Sequence, residues 1–124
     1  MKKPEVLVID ENTKVLFAFE ALLVREGCIM ISAGNLAEAL KKMARKKPYA
    51  VFLDVSETHK INYKALHKIR DVNPTIPLIL ITSHLTEEVE VKYRDFNVNG
   101  YLEKPLSVEK VREVLRRLKI GSKR

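Results

Sequence analysis

The sequence predicts an α/β domain built on one five-stranded parallel sheet. Three observations carry this. Short apolar runs rich in β-branched residues recur at regular intervals, each bounded by polar, Gly or Pro positions. Between them lie stretches whose apolar residues repeat at helical spacing, so the order reads βαβαβαβαβα. Several runs lack polar alternation, so both their faces are buried, as in a parallel sheet covered by helices on both sides.

The expected strands are Val6–Ile9, Ile29–Ile31, Tyr49–Leu53, Leu78–Ile81 and, more weakly, Gly100–Leu102. In the first helical stretch Val15, Leu16, Phe19, Leu22 and Leu23 share a stripe, and Gly27 follows as a stop. In the second, Leu36, Ala39, Leu40 and Met43 share a face, with Pro48 beyond the end. Ile61, Ala65, Leu66 and Ile69 mark the third, which ends before Pro74. A fourth helix is expected over about 86–96, with Val89, Tyr93 and Phe96 inward. Ser107 caps the fifth, which turns Val108, Val111, Val114, Leu115 and Leu118 toward the sheet. Right-handed crossovers and five strands in a compact chain favour the doubly wound, flavodoxin-like order 2-1-3-4-5. In that order the switch point lies between strands 1 and 3, at their carboxyl ends.

The 124 residues suit a single domain, with a core of about 5–119 and a loose basic tail at 121–124. With 46% hydrophobic and 31% charged residues, intrinsic disorder is excluded. The longest apolar run, Ile76 to Ile81, is interrupted by Pro77 and is too short to span a membrane. No signal-peptide core follows Lys2 and Lys3, and Cys28 is the single cysteine, so a cytoplasmic location is expected. The net charge of +7 points toward nucleic acid or an acidic partner. It resolves, however, into the run KKMARKK at 41–47 and a basic stretch over 104–124, on a mildly acidic body. Both clusters fall at helix C-termini, where cations are favoured without any ligand.

The chemistry is expected at the carboxyl ends of the strands. Asp10 and Glu11 follow strand 1, Asp54 follows strand 3, Thr82 follows strand 4, and Lys104 with Pro105 follows strand 5. Three carboxylates in one crevice repel one another unless a cation shares the site. Oxygen ligands of this kind suit Mg²⁺, which binds through a few carboxylates and keeps several waters. Lys104 adds a positive charge and Thr82 a hydroxyl, a set able to hold a phosphoryl group. A carboxylate among them can serve as nucleophile and become an acyl phosphate.

These pieces resemble the receiver domain of two-component response regulators. They are Val8-Ile-Asp-Glu11, Phe52-Leu-Asp54, Ile81-Thr-Ser83 and Tyr101-Leu-Glu-Lys-Pro105, in the family's order and at about its spacing. The resemblance implies that Asp54 is the phosphoacceptor. It implies that Asp10, Glu11, Asp54 and the backbone carbonyl of Ser56 hold Mg²⁺, and that Lys104 pairs with the phosphoryl group. It implies a cis bond before Pro105, and a switch in which Thr82 moves toward the phosphoryl group while Tyr101 turns inward. One segment departs from the family's pattern: Glu57 adds a negative charge, Thr58 stands where Pro is common, and Asn62 stands where Gly is common. Asn tolerates a left-handed backbone, so it can stand in for Gly at such a turn.

The expected function is that of a stand-alone receiver domain, not an enzyme. It takes a phosphoryl group from a histidine kinase or phosphotransfer protein. It signals to an output protein through helix 4, strand 5 and helix 5, as a monomer or a phosphorylation-dependent dimer. A rival from another class is a basic nucleic-acid-associated adaptor that keeps the fold without phosphotransfer. A third is a Mg²⁺-dependent phosphatase with Glu57 or His84 as the acid–base group. His59, His67 and His84 otherwise read as solvated or packed side chains, and Cys28 as a small core residue.

Overall fold

The computed structural model describes residues 2–56 and 59–120, and of residues 59–62 the backbone only. The expectations placed on Glu57, Thr58, the side chains of His59, Ile61 and Asn62, and the tail at 121–124 lie outside the described residues.

Five strands, β1 (Glu5–Ile9), β2 (Ile29–Ala33), β3 (Ala50–Asp54), β4 (Leu78–Thr82) and β5 (Gly100–Glu103), pair in parallel in the order β2-β1-β3-β4-β5. Between and after them come the helices α1 (Thr13–Arg25), α2 (Leu36–Lys46), α3 (His59–Val72), α4 (Glu87–Lys92) and α5 (Val108–Arg117). Asn12, Asn35, Thr86 and Ser107 cap α1, α2, α4 and α5, each side chain accepting from an N–H of the first turn. No helix among the described residues is long and apolar enough to cross a membrane.

Period-two alternation on the strands divides the core into two layers. On one face Val6, Val8, Ala50, Phe52, Ile79, Ile81 and Leu102 meet Phe19 and Leu23 of α1 and Val111 and Leu115 of α5. Phe19 stands edge-on to Phe52, their centroids 5.3 Å apart. On the other face Leu7, Val51, Leu53, Leu78 and Leu80 meet Met43 of α2, Leu66 and Ile69 of α3, and Tyr93 and Phe96. Cys28 is buried in the first layer, as a core residue should be.

The region expected as one helix over about 86–96 is divided. α4 ends at Lys92, and a separate 3₁₀ turn covers Arg94–Phe96, closed by Asn97 in a left-handed conformation at φ 55°. Three-residue winding sets positions three apart on the same side. That keeps both Tyr93 and Phe96 against the sheet. The sequence also extends several strands by a residue or two less than the structure does. Asp54, Thr82 and Glu103 are the last residues of β3, β4 and β5, so the sheet itself holds them.

Candidate functional site

The carboxyl ends of β1, β3, β4 and β5 lie side by side, because the register pairs Ile9 with Leu53, Asp54 with Ile81 and Thr82 with Glu103. Backbone bonds continue the alignment past the strand ends. The N–H of Val55 donates to Ile81 O at 2.8 Å, and that of Lys104 donates to Thr82 O at 2.9 Å.

Asp10 is buried just beyond β1. Its Oδ1 accepts from the N–H of Asn12 at 2.8 Å, while its Oδ2 is buried with no hydrogen-bond donor. Asp54 is a close neighbour. Its Oδ1 accepts from the N–H of Ser56 at 2.7 Å, and its Oδ2 takes the Lys104 ammonium at 2.5 Å. Burial pushes the Asp10 carboxyl up to about 6; the Asn12 N–H opposes this and the Asp54 carboxylate adds to it. Burial also raises Asp54, but Lys104, Asp10 and the Ser56 N–H together outweigh it and hold its carboxyl below the usual range. Glu11 is exposed at the rim. Among the described residues no group of three or more His, Cys, Asp or Glu side chains stands close enough together to hold a metal ion by itself.

Thr82 is buried, and its hydroxyl is turned into the connection that follows β4. There its Oγ1 lies 3.3 Å from both the N–H and the carbonyl oxygen of His84. Tyr101 is half-buried against the Tyr93 layer of the core. Burial pushes its hydroxyl up, with Glu90 and Tyr93 adding to the effect. The peptide bond between Lys104 and Pro105 is cis.

The donor set fits a hard divalent cation. Asp10 Oδ2 is a buried carboxylate oxygen without a donor, next to a second carboxylate, and the adjoining Glu11 is exposed. Asp10, Glu11 and Asp54 against Lys104 leave an excess of negative charge for such an ion to balance.

The model for the response regulator receiver domain matches residues 6–116. The chain belongs to that family. It is 31% identical over 116 residues to the "Probable transcriptional regulatory protein TcrX" of Mycobacterium tuberculosis, covering 90% of this chain and 50% of that protein. It is 26% identical to the alkaline phosphatase synthesis transcriptional regulatory protein PhoP of Bacillus subtilis, covering 95% of this chain and 51% of that one. The chain thus spans about half the length of these two relatives. Among solved structures, the Vibrio cholerae chemotaxis protein CheY4 superposes with a TM-score of 0.85 at 19% identity, over 94% of this chain and 99% of that one. A response regulator from Thermotoga maritima superposes with a TM-score of 0.84 at 23% identity, over 94% and 98%. Phosphorylation on an aspartate is general to the receiver family, as is Mg²⁺ at its acidic pocket.

Sequence reasoning passed over two polar anchors. Arg70 of α3 donates to the carbonyl oxygens of Phe96 (2.8 Å), Ile76 (2.7 Å), Asn97 (2.8 Å) and Asn73 (3.3 Å). It thereby ties α3 to the segments on either side of the β4–α4 unit. The second anchor is Glu103, whose Oε2 accepts from the N–H of Leu85 at 3.0 Å. The Glu-Lys-Pro run placed Glu103 at the strand end, but nothing local marks its side chain as a loop anchor.

Several residues of the basic clusters are partnered within the chain. Lys42 pairs with Glu38 and donates to Ser32 O. Arg112 meets Glu26 through two nitrogens, Arg116 meets Glu113, and Lys110 donates to the carbonyls of Glu103 and Pro105.

Proposed function

We propose that this domain accepts a phosphoryl group on Asp54 from a phosphohistidine on a histidine kinase or phosphotransfer protein, and that the modification changes a protein-contact surface. The observation that carries the reading is the meeting of Asp54 with Lys104 and Asp10 at the carboxyl ends of three strands, one of the two carboxylates retaining an undonated buried oxygen.

An Asp54 carboxylate oxygen forms the bond to phosphorus while the phosphorus–nitrogen bond breaks, and the imidazole nitrogen leaves with the electron pair. Asp10, Glu11, Asp54 and the Ser56 carbonyl are the residues that would hold Mg²⁺. Bound there, Mg²⁺ supplies positive charge against the transferring oxygens. Lys104 releases Asp54 Oδ2 and takes up a phosphoryl oxygen, so its charge stays in the crevice throughout. The low proton affinity of Asp54 keeps it an anion, and therefore nucleophilic, at neutral pH. Thr82 turns its hydroxyl from His84 toward the new phosphoryl oxygen, and Tyr101 follows into the space vacated.

Output runs through protein contact on the surface of α4, β5 and α5; Tyr101 lies on β5, and α4 follows the connection that the Thr82 hydroxyl contacts. The domain works as a monomer or as a phosphorylation-dependent dimer. The domain is a signalling protein rather than a turnover catalyst. The nucleic-acid adaptor draws on the basic clusters, and internal partners already account for Lys42, Lys110, Arg112 and Arg116. The test is incubation with acetyl phosphate and Mg²⁺ followed by intact mass. A single phosphoryl adduct, absent in Asp54→Asn, is expected. No adduct, or one that survives the substitution, overturns the reading.

A further inference from the structure

Resting on the reading of Asp54 as phosphoacceptor, we propose that Glu103 is a positioning residue whose side chain latches the β4–α4 connection and so restrains the Thr82 hydroxyl in its unphosphorylated place. The connection after Thr82 presents two consecutive backbone donors, the N–H groups of His84 and Leu85. The first goes to Thr82 Oγ1 at 3.3 Å and the second to Glu103 Oε2 at 3.0 Å. Thr82 and Glu103 are register partners across β4 and β5, and the N–H of Lys104 holds Thr82 O at 2.9 Å. The base of the latch is therefore part of the sheet. The Glu103 backbone is held from the other side, where Lys110 Nζ donates to its carbonyl oxygen at 3.0 Å.

Two of these bonds differ in strength. The Thr82–His84 contact is long and neutral, whereas the Glu103–Leu85 contact is of ordinary length and has an ionised acceptor. For Thr82 to turn toward Asp54 it must abandon the His84 N–H, and the connection must re-form around another arrangement of the same donors. Glu103 opposes that movement by keeping Leu85 in place. The carboxylate sits beside Lys104 in sequence, yet its bond faces the loop while Lys104 faces Asp54. The residue thus acts on the switch and not on the reacting atoms.

The experiment compares wild type with Glu103→Ala, Glu103→Gln and Glu103→Asp. Phosphoryl uptake from acetyl phosphate with Mg²⁺ is followed by intact mass, and hydrogen exchange of the Leu85 amide is followed by NMR without any donor. Gln keeps an oxygen at the same reach without the charge; Asp keeps the charge and falls short. Glu103→Ala and Glu103→Asp are expected to take up phosphoryl roughly fivefold faster, the order of one net hydrogen bond, and to lose Leu85 protection. Glu103→Gln, which keeps the bond but not its charge, is expected to fall between wild type and Glu103→Ala in both. If uptake is the same in all four proteins, or if Gln behaves like Ala and Asp like wild type, the latch is overturned, the second pattern marking a charge effect. If wild type itself takes up no phosphoryl group, the functional reading fails. The latch is then judged on exchange alone, and unchanged Leu85 protection in Glu103→Ala overturns it.

Discussion

Replacing Lys104 by Met leaves Asp54 and Asp10 facing each other in the crevice with their nearest cation gone. The Lys104 side chain is 27% exposed and that of Asp54 is 9% exposed. Fully exposed ion pairs contribute ~0–1 kcal/mol, whereas removing one partner of a buried pair costs about 3–5 kcal/mol. The pair here lies between those limits, and Met retains most of the packing of the lysine stem. A loss of about 2 kcal/mol is expected, which for a domain of this length lowers Tm by about 8 °C. The assay is thermal and urea unfolding with EDTA present, carried out as a double-mutant cycle with Asp54→Asn. In the Asn background the same Lys104→Met step should cost far less, because the stranded anion is gone. A coupling of at least about 1 kcal/mol is expected. A coupling below about 0.5 kcal/mol, the level at which independent sites add, would show that Lys104 does not hold Asp54 in solution.

Three further outcomes follow from the contacts described. Arg70→Met should destabilise by about 2–3 kcal/mol, because four carbonyl oxygens lose a charged donor, and Arg70→Lys should not restore it, since one ammonium cannot span them; equal melting temperatures for Arg70→Lys and wild type refute this. Lys47→Gly should stabilise by up to about 1 kcal/mol, because Lys47 closes α2 at φ 50° where glycine carries no Cβ penalty, and urea titration reads the change. Burial, with Glu26 adding, pushes the Cys28 thiol above its ordinary value of 9.0, so native protein should react slowly with a maleimide at pH 8 and unfolded protein quickly. Since the native state prefers the protonated thiol, this contribution is complete below 9.0 and is lost as pH rises from there through the higher native value; equal native and unfolded labelling rates contradict the burial.

Most of the site was legible because parallel α/β chains put their chemistry at strand ends. Once the apolar runs were placed, Asp10, Asp54, Thr82 and Lys104 each fell at a carboxyl end, and the strand order brought those ends together. The fourth helix was less legible. Its stripe of Val89, Tyr93 and Phe96 reads as one helix, and only packing against the sheet shows that the last turn tightens to keep two aromatic rings inside.

What the sequence determined by itself was periodicity and punctuation: which segments are strands, which faces are apolar, and which residue types stand at each strand end. Those are local properties, repeated every two or 3.6 residues. What only the tertiary structure decided was pairing between side chains and distant backbone. Asp54 takes Lys104 while Asp10 keeps a bare oxygen, Glu11 stays at the rim, Thr82 turns toward His84, Glu103 reaches Leu85, and Arg70 gathers four carbonyls. Such bonds depend on rotamer and register across elements up to 50 residues apart. No spacing along the chain encodes the long-range ones, because each forms only after the fold has brought its two ends within about 3 Å.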